Sequence, residues 1–115
     1  MIRPATAEDV PRIVDMWCEF HERAGLLGEF VPDDFAEFCH GLIDSDQGVI
    51  FVSPNGAIAG YRESIMWNRE YEIAYEVFWQ AKDGSGMDLL EAFEAWAGSA
   101  TKRMSFVHGQ RSNAI

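Results

Sequence analysis

Long apolar runs are missing from this sequence. None approaches the roughly 20 consecutive apolar residues that a membrane-spanning helix requires. The opening Met1-Ile2-Arg3-Pro4-Ala5-Thr6 is followed by no apolar segment and does not read as a signal peptide. A soluble cytoplasmic protein with no membrane partner is the expectation. Basic residues are scarce: 9 Lys and Arg stand against 19 Asp and Glu, a formal charge of −10. Nucleic-acid binding depends on Lys and Arg at phosphates, so this balance argues against it. The 2 cysteines, Cys18 and Cys39, fall in separate helical stretches and are expected as free, buried thiols. Cys18 and His21 can share a helix face. Cys39 and His40 diverge by about 100° on a helix, so no metal centre is expected. Internal repeats and low-complexity tracts are also absent.

What is present is a chain of 115 residues that is 48% hydrophobic, enough for one domain over 1–115 with a real core and too apolar for disorder. The acidity serves solubility, and it also favours a cationic ligand such as an amine.

Periodicity places the elements. Thr6, with Asp9 three residues on, resembles a capping box opening a helix over 7–24, with Val10, Ile13, Val14, Trp17 and Phe20 as its apolar stripe and Gly25 as its stop. A second helix, capped by Asp33 or Asp34, buries Phe35, Phe38, Cys39, Leu42 and Ile43. After a turn cluster, Val49-Ile50-Phe51-Val52 is a short strand. Asn55-Gly56 then predicts a hairpin with a type I′ turn, whose central residues both need positive φ. The partner strand runs from about Ala57 towards Met66, and Asn68-Arg69 turns again. Over 71–79 the chain alternates: Tyr71, Ile73, Tyr75, Val77 and Trp79 on one face; Glu72, Ala74, Glu76 and Phe78 on the other. A helix over 89–97 follows, ended by Gly98. Met104-Ser105-Phe106-Val107 predicts a last strand, parallel to the 71–79 strand by a right-handed crossover. The order gives an α+β or α/β domain.

The stretch that points most directly at a ligand is Val77 to Leu90. A strand enters the turn Gly84-Ser85-Gly86, which opens into a helix. Glycines let a phosphate approach the backbone, and the helix N-terminus supplies unpaired N–H donors and partial positive charge.

Taken in order, these features resemble the GNAT superfamily of acetyl-CoA-dependent N-acetyltransferases. The opening Ile2-Arg3-Pro4-Ala5-Thr6-Ala7-Glu8-Asp9-Val10 is similar to the family's first strand and helix. Asn55-Gly56 with Ile58-Ala59-Gly60 is similar to the hairpin between its second and third strands, and Gly84-Ser85-Gly86 with Leu89-Leu90 to the end of its acetyl-CoA motif. The resemblance implies a mixed central sheet flanked by helices. It also implies acetyl-CoA as co-substrate and transfer of an acetyl group to a primary amine of a small molecule or a protein. Departures stand beside it. The motif's basic or Gln position falls on Ala81, with Gln80 one residue early. Lys82 stands where a glycine is usual. His108 to Ile115 resembles a loop that in the family carries an Asn, here Asn113, and the family's further helix and closing strands do not follow.

The resemblance assigns roles residue by residue. The backbone of Val77 and Phe78 pairs with the pantetheine chain and donates to the thioester oxygen. Lys82, Gly84, Ser85 and Gly86 meet the pyrophosphate, and Asn113 the cofactor. Glu72 and Glu76, on one face of the strand before the turn, are the base candidates, directly or through water, unless they form only a solvated strand face. His108 is a weaker base candidate. The alternatives are a GNAT-like binding or structural module that no longer catalyses, and a homodimer formed through the edge of the last strand.

Overall fold

Two residues, Pro54 and Asn55, separate strand β2 (Gly48–Ser53) from strand β3 (Gly56–Ile65). The hairpin is where Asn55-Gly56 places it, but the turn differs from expectation. Neither Asn55 nor Gly56 has a positive φ; Gly56 is instead the first paired residue, opposite Ser53. Its glycine answers to space: a Cβ there would sit 2.8 Å from Ser53 Oγ and 3.0 Å from the Gln80 carbonyl oxygen.

The computed structural model describes residues 1–103. Strand β1 (Arg3–Pro4) pairs antiparallel with β2, and β3 pairs antiparallel with the long strand β4 (Asn68–Ala81). The short β5 (Thr101–Arg103) runs parallel to β4, from Ile73↔Thr101 to Tyr75↔Arg103. The sheet is therefore mixed, in the order β1-β2-β3-β4-β5. The last strand thus begins at Thr101, and the predicted strand over 104–107 lies outside the described residues, as do His108 and Asn113. The β3–β4 turn also falls earlier than expected, at Met66-Trp67. Asn68 is already paired with Ile65, and its side chain accepts the Glu70 N–H at 3.0 Å.

Helices α1 (Val10–Ala24) and α2 (Pro32–Asp44) cover one face of the sheet. A 3-10 turn, Ala7–Asp9, leads into α1. Here Asp9 gathers the charge of the N-terminal segment: Oδ1 and Oδ2 each lie 2.8 Å from an Arg3 guanidinium nitrogen, and Oδ2 accepts the Thr6 N–H at 2.8 Å. The Arg3 hydrogen bonds hold the Asp9 carboxyl well below the usual carboxylate range, against the opposing effect of burial. Gly25 ends α1 with φ 63°, the left-handed conformation that glycine adopts freely. The second helix starts at Pro32, with Val31 rather than an Asp as its cap; proline's fixed φ and missing N–H suit a first helical position. Val10, Ile13, Cys39, Leu42, Ile50, Val52 and Phe78 form the core beneath these helices. Burial pushes the Cys39 thiol up to about 12, and both cysteines are free.

Helix α3 (Gly86–Ala97) covers the other face. It starts three residues before the apolar pattern does, because Gly86 and Met87 belong to its first turn. Leu89 and Phe93 are fully buried against Ile58 and Ala74. Among the described residues no helix is long and apolar enough to cross a membrane.

Candidate functional site

Strand β4 does not alternate as its sequence suggests. Ala59 pairs with Phe78 and Gly60 with Glu76, which leaves Val77 as an extra residue, a β-bulge. The bulge reverses the two faces beyond it. Tyr75 lies over Tyr61 on the α1–α2 side, with ring centroids 5.2 Å apart. Past Val77, Phe78 takes that side and Trp79 turns to the α3 side. Phe78 and Trp79 are thus exchanged relative to the strict alternation, because an inserted residue shifts a period-2 pattern by one.

The bulge fixes where the predicted site residues sit. Glu72 and Glu76 do share a face, the one carrying Ala74 and covered by α3. Glu76 is not on a solvated strand face: it is 3% exposed. Glu72 is half-buried and lies about 13 Å further back along the strand, four residues at about 3.3 Å each. The Phe78 side chain is buried in the core, with its ring centroid 5.2 Å from that of Trp17. The described β4–β5 pairing reaches Tyr75, two residues short of the bulge.

The glycine turn carries an anion of its own. Asp83 Oδ2 accepts the Ser53 hydroxyl at 2.9 Å and the Asn55 N–H at 2.8 Å, while Oδ1 accepts the Ser85 N–H at 3.1 Å. The Ser85 hydroxyl also reaches Oδ1 and lies 2.8 Å from that of Ser53. These donors, the Ser85 hydroxyl first, hold the Asp83 carboxyl below the usual range. Asp83 thereby fastens the β2–β3 hairpin to the start of α3. The sequence signal for it was available, because an Asp followed by Gly and Ser is a side-chain-closed turn.

Beyond Asp83 the turn stays open. Gly84 has φ 80° and nothing within 4 Å of where a Cβ would stand. The first helical bond of α3 is Leu89 N–H to the Ser85 carbonyl, so the N–H groups of Gly86, Met87 and Asp88 lie ahead of it. Trp79, Gln80, Ala81, Gly84, Gly86 and Met87 line a cleft of about 340 Å³ there. Trp79 Nε1 donates to the Gly86 carbonyl at 3.0 Å, and Gln80 Oε1 is buried without a protein partner. Lys82 points elsewhere: its ammonium pairs with Glu19 of α1, and its N–H donates to the Asn55 carbonyl at 2.9 Å.

A second concavity opens on the α1–α2 side. It is a groove of about 450 Å³ between the end of α1, the loop over 25–31 and α2, and Val77 is part of its lining. Trp17, Phe30, Phe35 and Phe38 supply aromatic walls. His21 fixes the loop, with Nε2 2.9 Å from the Gly28 carbonyl oxygen; that oxygen only accepts, so Nε2 carries the proton. Sequence reasoning took Trp17, Phe35 and Phe38 as core stripes. The tertiary arrangement of the loop leaves Phe38 and Val31 each 44% exposed.

No protein-family model matches this sequence, and no curated protein is similar to it. Solved structures are. One is a GCN5-related N-acetyltransferase from Ralstonia eutropha, with TM-score 0.74 and 15% identity over 99% of this chain and 88% of that one. The sheet with its flanking helices matches the fold of such enzymes. The chain has the GNAT fold. A predicted acetyltransferase from Clostridium acetobutylicum, solved with acetyl-CoA, has TM-score 0.74 and 10% identity, over 91% of this chain and 79% of that one. An aminoglycoside acetyltransferase from an uncultured soil metagenomic sample, in complex with sisomicin, has TM-score 0.64 and 16% identity, over 100% of this chain and 87% of that one. Within this fold, the bulge at Val77 and the glycine turn before α3 are the irregular backbone features of the strand–turn–helix unit.

Proposed function

We propose that this chain is an acetyl-CoA-dependent N-acetyltransferase acting on a primary amine. The observation that carries the reading is the succession, within one strand–turn–helix unit, of a bulge at Val77, an open glycine turn and the N-terminus of α3. Acetyl-CoA supplies the activated thioester. The amine nitrogen bonds to the thioester carbonyl, the C–S bond breaks, the nitrogen loses a proton and the thiolate leaves. The backbone at Val77 and Phe78 is assigned to the pantetheine, and the N–H groups of Gly84, Ser85 and Gly86 to the pyrophosphate; the spare Gly86 donor at the start of α3 supports this, whereas the Ser85 N–H would first have to leave Asp83. Glu76, next in the chain to the bulge, is the assigned base; its side chain is buried on the α3 side of the strand, so it would act on the amine only through water, with Glu72 second because it lies further back. Lys82 would reach a phosphate only by leaving Glu19.

The test is calorimetric titration with acetyl-CoA together with a thiol-release assay on a panel of amines. Binding with turnover supports the reading. A flat titration at millimolar acetyl-CoA sinks it. Glu76→Gln is expected to cut kcat by about 100-fold and to remove the basic limb of its pH profile, with Glu72→Gln nearer to the parent.

A GNAT-fold module that binds without catalysing is favoured by one observation. Asp83 already occupies the Ser85 N–H with a negative charge. In that case Asp83→Asn would bind acetyl-CoA clearly more tightly than the parent chain. In an active enzyme the same change would leave affinity alike or lower.

A further inference from the structure

We propose that the acceptor is a primary amine on an apolar body, aromatic or branched alkyl, without a carboxylate of its own, and that it lies in the groove between α1, the 25–31 loop and α2. This rests on the acetyl-transfer reading and names the substrate class for it.

The groove's size suits one small molecule: about 450 Å³, within the range of about 300–1,000 Å³ usual for such sites. Its walls are rings packed on one another. Phe35 stacks on Trp17 at 6.0 Å between centroids and on Phe38 at 6.4 Å, and Phe30 lies 5.6 Å from Phe35. These faces keep apolar area in water until an apolar ligand covers it. A polyhydroxylated amine would press its hydroxyls on them without partners, which disfavours it.

Charge selects further. Glu29 and Asp34 stand exposed among the lining residues, and that lining holds no Lys or Arg. Neither carboxylate has an ion pair among the described residues. A cation is drawn in by these groups, by the aromatic faces and by the net charge of −10. A ligand carboxylate meets two like charges and no counter-ion. The groove is also preformed, since the His21–Gly28 hydrogen bond pins its loop, so little ordering accompanies binding. Val77 joins the lining to the strand assigned to the thioester, which places the amine end of the ligand at the bulge.

The experiment is calorimetric titration of the full chain with 2-phenylethylamine, with phenylalanine and with glucosamine, each with and without saturating acetyl-CoA. 2-Phenylethylamine is expected to bind about tenfold or more tightly than either of the others. Phe38→Ala and Asp34→Asn should each weaken it by about fivefold or more, with acetyl-CoA affinity and circular dichroism unchanged. Phenylalanine or glucosamine binding as tightly overturns the proposal, as does absence of 2-phenylethylamine binding. Amine binding that persists without any acetyl-CoA binding instead sinks acetyl transfer and leaves the groove's preference standing.

Discussion

The two faces of the sheet are covered to different degrees. Under α3, Ile58, Ala74, Leu89 and Phe93 are all fully buried, and Phe93 packs so closely on Gly60 that a Cβ there would stand 2.5 Å from its ring. Under α1 and α2 the central residues are equally buried, but at the loop end Trp17 and Phe35 are only half-covered and Phe38 is 44% exposed. One face is closed by complementary shape. The other leaves aromatic surface in water, a stability it forgoes and a ligand can recover. Binding in this domain is therefore expected where packing is incomplete, while α3 packs the sheet from behind.

This contrast can be broken from the closed side first. Phe93→Ala is expected to cost about 4 kcal/mol, the usual scale for emptying a fully buried ring site, read from urea unfolding. Gly60→Ala should cost about 3 kcal/mol, because its Cβ would lie 2.2 Å from the Tyr75 carbonyl oxygen, backbone that cannot swing aside. Asp9→Ala, at the entrance to α1, is expected to cost about 1 kcal/mol as a lost cap. Phe38→Ala on the open side should change stability by less than about 0.5 kcal/mol. If Phe38→Ala cost as much as Phe93→Ala, the two faces would not differ as described.

Acid sharpens the contrast from the other side. The folded-state pKa of Asp9 is depressed, chiefly by Arg3, so its contribution is present above the ordinary value of 3.8 and is lost as pH falls below it. Melting temperature should drop from that pH downward, and Asp9→Asn should remove part of the drop. An identical acid profile for the variant would show that Asp9 contributes nothing through this route.

Much of the fold was legible because local signals agreed with it. Val10, Ile13, Trp17 and Phe20 marked α1, Gly25 its end, and the alternation over 71–76 the first part of β4. The bulge was not legible, because nothing in the sequence distinguishes Val77 from a regularly paired strand residue; only the partners of Ala59 and Gly60 reveal it. Asn55-Gly56 identified the hairpin but not its turn, since Gly56 was required for closeness to Gln80 and Ala81 and not for its φ. At the site, the open glycine turn was visible from Gly84 and Gly86. The groove was invisible, because a residue such as Phe38 looks the same in a helical pattern whether a neighbour covers it or not.

Val77 has a consequence of its own. Every other β3–β4 partner from Gly56 to Ser64 would stay matched if Val77 were absent, and both cores would keep their residues on the correct sides. It is thus an inserted residue that the β3–β4 register does not require, although its side chain packs against the α1–α2 core. A position released from the strand register can vary in backbone shape without shifting the pairs on either side of it. A chain lacking Val77 should therefore keep its circular dichroism and lose whatever depends on the kink, which separates what the strand does for the molecule from what it offers to others.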